Sequence, residues 1–336
     1  MAMKYIIVYP ESHKHLGIFA DLNDNPEVRS YVAEQRIPRN KFGKLVKKIH
    51  TSGMIAQYVN LPLKRLWYKK LKFDIQRNEE YCVIIVDAAL KAFKIAELNK
   101  LFAKKNIRGV LCLINSINAH STSMYEIKSI IPKVHWADIY SFDPQDRAKY
   151  GFKNIEGAYY SKKEAEHIKA LYPEQFKTPM DVYFTGGLKG NREKLVVDTF
   201  EYLKKRGVKA DFNILVAGNE RLKNHKFADS IRYYSGKWIA YEEVLAGVLN
   251  SKVIVEILQD GQCGPSLRYY EAVCYNKKLL TTNEYVKELP FYNPQYMKVF
   301  HSPEEIDVEW IKDNEKIDYC YNGEFSPVRL LDIVIK

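Results

Sequence analysis

Residues 181–218, DVYFTGGLKGNREKLVVDTFEYLKKRGVKADFNILVAG, spell out one complete β-α-β unit. An apolar run closes on Gly186 and Gly187, a stretch with apolar residues at helical spacing stops at Gly207, and a second apolar run follows. Two buried strands joined by a helix predict parallel pairing, because an antiparallel pair needs only a tight turn. The alternation continues downstream: YEEVLAGVLNS reads as an amphipathic helix, KVIVEILQ as a strand and GPSLRYYEAVCYNK as a helix opened by proline. KKLLTTN reads as a strand and PEEIDVEWIKDN as a helix.

Upstream the same grammar holds. KYIIVYP (4–10), YCVIIVDAAL (81–90) and GVLCLINSI (109–117) read as buried strands; AELNKLFAKKN and SMYEIKSIIPKV read as helices. ADIYSFDPQDRAKYGF reads as strand, turn and short helix, and IEGAYYS as a last strand. Residues 161–179 are polar and end in a Thr-Pro break, which predicts a domain junction. The expectation is an α/β protein with two Rossmann-like domains facing a cleft, spanning 1–165 and 180–312. Residues 313–336 are expected as a tail against the first domain. A chain of 336 residues exceeds the size of a single core, in keeping with two.

Composition narrows the class. Apolar residues make up 46% and charged residues 28%, and no apolar run approaches the roughly 18 residues of a membrane span. The start MAMKYIIVYPE lacks a signal-peptide pattern, so the expected location is cytoplasmic, with peripheral attachment to the inner face of a membrane. The five cysteines form no C-x-x-C pair, against a disulfide framework or zinc knuckle. Cys82 and Cys112 lie in apolar runs, where a thiol behaves as a small inert hydrophobe.

The net charge of +11 has one source. Arg36–Lys72 contains eleven basic residues and no acidic one, so the rest of the chain sums to zero. The basic residues alternate with Phe42, Leu45, Ile49, Leu66, Trp67, Tyr68 and Leu71, and Gly43–Ile49 and Leu63–Leu71 are spaced as short amphipathic helices. Such a stretch suits an anionic membrane surface, an anionic acceptor or nucleic acid; the bland alternative is a solvated basic helix pair.

Two stretches carry binding chemistry. Gly264-Pro265-Ser266-Leu267-Arg268-Tyr269-Tyr270-Glu271 follows a strand and the loop Asp260-Gly261-Gln262-Cys263. Pro265 at the first helical position leaves free amides and the positive end of the helix for a diphosphate. Arg268 and Glu271 share one helical face, as a phosphate-side cation and a ribose-binding carboxylate or as a plain surface ion pair. Thr185-Gly186-Gly187-Leu188-Lys189-Gly190-Asn191-Arg192 is a glycine turn whose backbone admits a phosphate, with Lys189 and Arg192 to neutralise it. It matches neither G-x-G-x-x-G nor the P-loop.

Together these stretches resemble the C-terminal donor domain of GT-B glycosyltransferases, particularly bacterial enzymes of lipopolysaccharide and capsule assembly. The resemblance covers residues 180–312 best. It implies a hexosyltransferase-like enzyme using a nucleoside diphosphate sugar, most commonly UDP-linked, with a cell-surface glycan or lipid-linked acceptor. It also implies that Gly187, Lys189 and Arg192 face the donor phosphates, that Ser266 adds a contact and that Glu271 binds the ribose. The Glu-x(7)-Glu pair common in such enzymes is absent, which leaves Asp260 or Gln262 to serve the sugar. Ser141–Gly151 resembles a run that faces the other domain in this group. No D-x-D triplet occurs, whereas GT-A enzymes hold a divalent metal with one, so no metal and no other cofactor are expected.

For a general base the first half offers Glu11 and His13 after the first strand, Asp87 after YCVIIV, and His120. Each has a structural alternative, the carboxylates as helix caps. The pairs Tyr159-Tyr160, Tyr233-Tyr234 and Tyr269-Tyr270 are candidates to stack on a base or sugar, with packing as the commoner use. Two rival functions stand beside the transferase: a nucleic-acid-binding protein using 36–72, for which no recognisable motif is present, and an inactive sugar-nucleotide-binding module.

Overall fold

The computed structural model describes residues 3–11, 19–50, 55, 64–117, 122–155, 162–187, 192–216, 231–235, 239–259 and 264–335. The chain divides into two compact units, residues 1–159 with 326–336 and residues 160–325. The stretch expected as a tail is therefore split: 313–325 belongs to the second unit and 326–336 to the first.

The first unit is built on β1 (Lys4–Pro10), β2 (Val28–Ala33), β3 (Tyr81–Val86), β4 (Ile107–Leu113), β5 (Asp138–Ser141) and β6 (Lys153–Asn154). The strands pair in the order β2-β1-β3-β4-β5-β6, all parallel. Helices α1 (Lys41–His50), α2 (Ile95–Phe102), α3 (Thr122–Ile130) and α4 (Pro144–Tyr150) connect them, and α10 (Val328–Val334) returns from the far end of the sequence. Alternate residues of the central strands feed opposite cores. Ile6, Val8, Val83 and Ile85 pack with Leu98 and Ile127, while Tyr5, Ile7, Cys82 and Ile84 pack with Leu330, Leu331 and Val334. Burial on both faces is why these strands read as unbroken apolar runs.

The second unit contains α5 (Lys162–Leu171), β7 (Met180–Gly187), α6 (Arg192–Lys205), β8 (Ala210–Val216), β9 (Arg232–Ser235), α7 (Tyr241–Asn250) and β10 (Ser251–Glu256). It continues with α8 (Leu267–Cys274), β11 (Lys278–Thr281), β12 (Met297–Val299) and α9 (Val308–Lys312). Its parallel strands run β12-β11-β10-β7-β8-β9. The expected stop after α6 is present: Gly207 has φ +71°, a left-handed turn that glycine adopts without strain.

Several expectations need correction. Of Leu63–Leu71, expected as a short helix, the described residues 64–71 form a single 3-10 turn over Lys64–Trp67 and no longer helix. Beyond it the backbone of Tyr68 bridges Gln35, and Lys69 N–H donates to the Glu34 carbonyl at 2.9 Å, so pairing with the chain after β2 overrides the helical spacing. YCVIIVDAAL stays extended only to Val86 and then turns into 3-10 helix at Asp87, whose φ is +39°. Among the described residues the last strand of the first unit is the two-residue β6; the expected strand IEGAYYS lies, apart from Ile155, outside the described residues. Tyr269 and Tyr270 are 1% exposed and pack on Phe325, so neither ring is open to a ligand.

Candidate functional site

In an open parallel sheet, ligands settle beyond the carboxyl ends of the strands where the strand order reverses. In the second unit the chain runs outward from β7 through β8 to β9, then restarts at β10 on the other side of β7. The reversal lies between Gly187 and Glu256, the last residues of β7 and β10.

Arg192, the first residue of α6, ties these two ends together. Its guanidinium lies over Gly186, where any Cβ would overlap it, and its Nη1 donates to the Ile257 carbonyl at 2.7 Å. The glycine requirement is thus at position 186; a Cβ at 187 would meet only the Leu215 carbonyl, at 3.9 Å. Burial pulls the Arg192 guanidinium down to about 10 against the opposing charge of Glu256, which leaves it cationic at neutral pH. Its Nε is buried and makes no hydrogen bond among the described residues.

Beside it stands a carboxylate that the sequence reading passed over. Glu256 is 3% exposed and accepts hydrogen bonds from the hydroxyls of Ser266 and Thr281. Burial pushes its pKa upward; the two hydroxyls and the charges of Arg268 and Arg192 oppose that shift. Ser266 also caps α8, its Oγ accepting from Arg268 N–H at 3.0 Å. The helix consequently starts at Leu267 with Ser266 as its cap, and Pro265 precedes the helix instead of occupying its first position. Gly264, with φ +83°, sets the approach, and its carbonyl accepts from Asn283 Nδ2 at 2.8 Å.

Arg268 and Glu271 do form an ion pair, as the spacing allowed, but not a surface one. Glu271 is fully buried and the Arg268 side chain is 13% exposed. Gly186, Gly187, Arg192, Gly264, Ser266, Arg268 and Glu271 therefore gather around the ends of β7 and β10 and the head of α8. Lys189, Asp260 and Gln262 lie outside the described residues. The charged residue inside the apolar run VIVEIL was the available signal for Glu256, since a carboxylate in a doubly covered strand must find partners.

No protein-family model matches the sequence, and no curated protein matches it. Solved structures do. An alpha-glucosyltransferase in complex with UDP-glucose and DNA containing an abasic site superposes with TM-score 0.55 at 10% identity, covering 100% of both chains. The Anabaena protein HepE, in complex with UDP and glucose, gives 0.54 at 10% identity, over 99% of this chain and 98% of its own. AviGT4, a glycosyltransferase involved in avilamycin A biosynthesis, gives 0.54 at 9% identity, over 99% and 96%. The fold is GT-B.

Each Rossmann-like half of this GT-B chain has its own reversal point. In the first half it lies between β1 and β3, whose carboxyl ends lead into Glu11 and Asp87. Glu11 is exposed and its Oε2 accepts from Gln35 N–H at 3.0 Å. Asp87 is 1% exposed; it accepts from Ile114 N–H at 2.9 Å and from the Asn115 side-chain amide, which fastens the end of β4 to the end of β3. Burial raises the Asp87 carboxyl to about 7 despite those hydrogen bonds. His13 and His120 lie outside the described residues. Within Ser141–Gly151, Asp143 caps α4 and the buried Asp146 accepts from Ile117 N–H at 2.8 Å, again joining neighbouring strand ends.

Proposed function

We propose that the chain is a glycosyltransferase that moves a hexosyl group from a UDP-linked sugar to a cell-surface glycan or a lipid-linked acceptor in an anionic leaflet. The observation that carries this is the Arg192 bridge at the reversal of the second sheet, with the capped head of α8 beside it. A glycine whose missing side chain makes room for a guanidinium, next to a helix N-terminus, is chemistry for a diphosphate.

On this reading Gly186, Gly187, Lys189 and Arg192 hold the diphosphate with the amides of Gly264 and Ser266 flanking it, and Pro265 sets the approach of the chain. Glu271 and Arg268 shape the nucleoside side, and Asp260 or Gln262 reaches the sugar. The acceptor hydroxyl oxygen bonds to the anomeric carbon as the bond from that carbon to the diphosphate oxygen breaks; Arg192, Lys189 and the head of α8 stabilise the charge on the departing UDP. No metal or other cofactor is required, since fixed cations and helix amides carry that charge. The proton of the acceptor hydroxyl passes to Glu11 or His13. Asp87 is committed to fastening the end of β4 to the end of β3.

Calorimetric titration with UDP and a panel of nucleoside diphosphate sugars tests the reading, with product release measured for each donor. Saturable UDP binding that is lost in Arg192→Ala supports it; no binding of any nucleotide removes it. The second reading, nucleic acid as acceptor or ligand, draws on the DNA bound to one GT-B neighbour and on the basic run Arg36–Lys72. Transfer to duplex DNA with no transfer to a glycan or glycolipid would establish that alternative.

A further inference from the structure

Asn40 opens α1: its Oδ1 accepts from Gly43 N–H at 2.7 Å, and a Cβ at 43 would collide with Asn40 and Pro38. The ten-residue helix that follows buries none of its side chains. Phe42, Leu45 and Ile49, at i, i+3 and i+7, form one stripe and are 75%, 55% and 42% exposed. Lys41, Lys44 and Lys48 lie along one side of that stripe and are exposed.

Two further exposed apolar side chains adjoin residues that hydrogen-bond to α1. Ile37 (78% exposed) adjoins Arg36, whose carbonyl accepts from Lys47 Nζ at 3.1 Å. Leu66 (58% exposed) adjoins Trp67, whose Nε1 donates to His50 Nδ1 at 3.1 Å. Five of the eight large hydrophobic residues exposed among the described residues thus fall on one basic segment that holds no carboxylate.

We propose that α1, with Ile37 and Leu66, is a docking surface for an anionic lipid bilayer. Phe42, Leu45 and Ile49 enter the boundary between headgroups and acyl chains while Lys41, Lys44 and Lys48 meet the headgroup phosphates. Each basic side chain near such a surface contributes about fivefold to partitioning. The aliphatic stripe selects lipid over nucleic acid: a phosphodiester backbone satisfies the lysines but leaves Ile37, Leu45 and Ile49 in water. No described helix is long and apolar enough to cross a membrane, so the contact is interfacial. The inference rests on the proposed lipid-linked acceptor for its purpose, yet its test needs no sugar nucleotide and fails or succeeds independently of UDP titration.

The test is co-sedimentation of the full chain with phosphatidylcholine vesicles, with and without phosphatidylglycerol, at low and high salt. The wild type is expected to partition at least about tenfold more strongly onto the anionic vesicles and to be released by salt. The triple variant Phe42→Ser, Leu45→Ser, Ile49→Ser and the double variant Lys44→Glu, Lys48→Glu should each lose at least about tenfold. All five side chains are exposed, so the thermal unfolding midpoint should stay in place and separate lost docking from lost folding. The proposal is overturned by absent anionic-vesicle binding, by equal binding to both vesicle types, by wild-type partitioning of the triple variant, or by tight duplex DNA binding without vesicle binding.

Discussion

Arg192 and Ile257 are joined by one 2.7 Å hydrogen bond that spans the reversal of strand order in the second sheet, fastening the head of α6 to the end of β10. The guanidinium lies directly over Gly186, so a Cβ at that position would have to displace it. Arg192→Ala should abolish measurable UDP binding and lower the unfolding free energy by about 1–3 kcal/mol, since a buried carbonyl loses a charged donor. Gly186→Ala should mimic that binding loss by displacing the guanidinium. Titration calorimetry and urea unfolding read both; retained UDP binding in Gly186→Ala would separate the bridge from donor recognition.

Glu256 gathers two hydroxyls from elements 10 and 25 residues away in sequence. Glu256→Ala leaves the Ser266 and buried Thr281 hydroxyls without this acceptor and should cost about 2–4 kcal/mol. Glu256→Gln keeps one acceptor oxygen and should cost about half as much. Denaturant midpoints that rank the two variants the other way would remove the carboxylate from its anchoring role.

The Arg268–Glu271 pair is buried, so a loss of UDP affinity in either alanine variant alone has two explanations. Breaking the pair takes a charged partner from a buried side chain and should destabilise the second unit by about 3–5 kcal/mol. Replacing both, Arg268→Met with Glu271→Leu, should recover most of that stability. If the double variant folds and still binds UDP as the wild type does, neither side chain recognises the nucleotide.

Asp87 gives a pH signature. Its native pKa of about 7 stands above the ordinary value of 3.8, so the fold favours the protonated carboxyl. Its contribution is fully present below about pH 4 and is lost as the pH rises through 7. The stability of the wild type relative to Asp87→Asn should therefore fall by about 2–4 kcal/mol between pH 4 and pH 8. Urea unfolding of both proteins across that range checks the sign; a rising difference would mean that Asp87 is held as a carboxylate.

The parts of the fold legible in the sequence were those buried on both faces. Strands β3, β4, β7, β8 and β10 are continuous apolar runs because helices cover them above and below. The edge strands β6, β9 and β12 have only two, four and three residues, and RYYS or MKV alone carries too little pattern to stand out from a loop. The stretch Leu63–Leu71 has helical spacing, yet from Tyr68 onward the described chain follows the Gln35–Tyr68 bridge between distant segments instead of continuing the Lys64–Trp67 turn. The glycine turn and the Gly264–Glu271 helix were visible as local motifs. What no local reading supplies is the Glu256 cluster, whose partners meet only once β10 and β11 pair, and the burial that turns Arg268 and Glu271 from a surface pair into an interior one.

The return of residues 326–336 to the first unit has a consequence for biosynthesis. Leu330, Leu331 and Val334 complete one of that unit's two apolar layers, and the Val334 carbonyl accepts from Arg108 Nε at 3.1 Å. A ribosome delivers all of 160–325 before it delivers those side chains. The half made first is thus the half finished last, and a nascent chain stalled after Phe325 exposes the apolar residues of β1 and β3 that α10 is destined to cover.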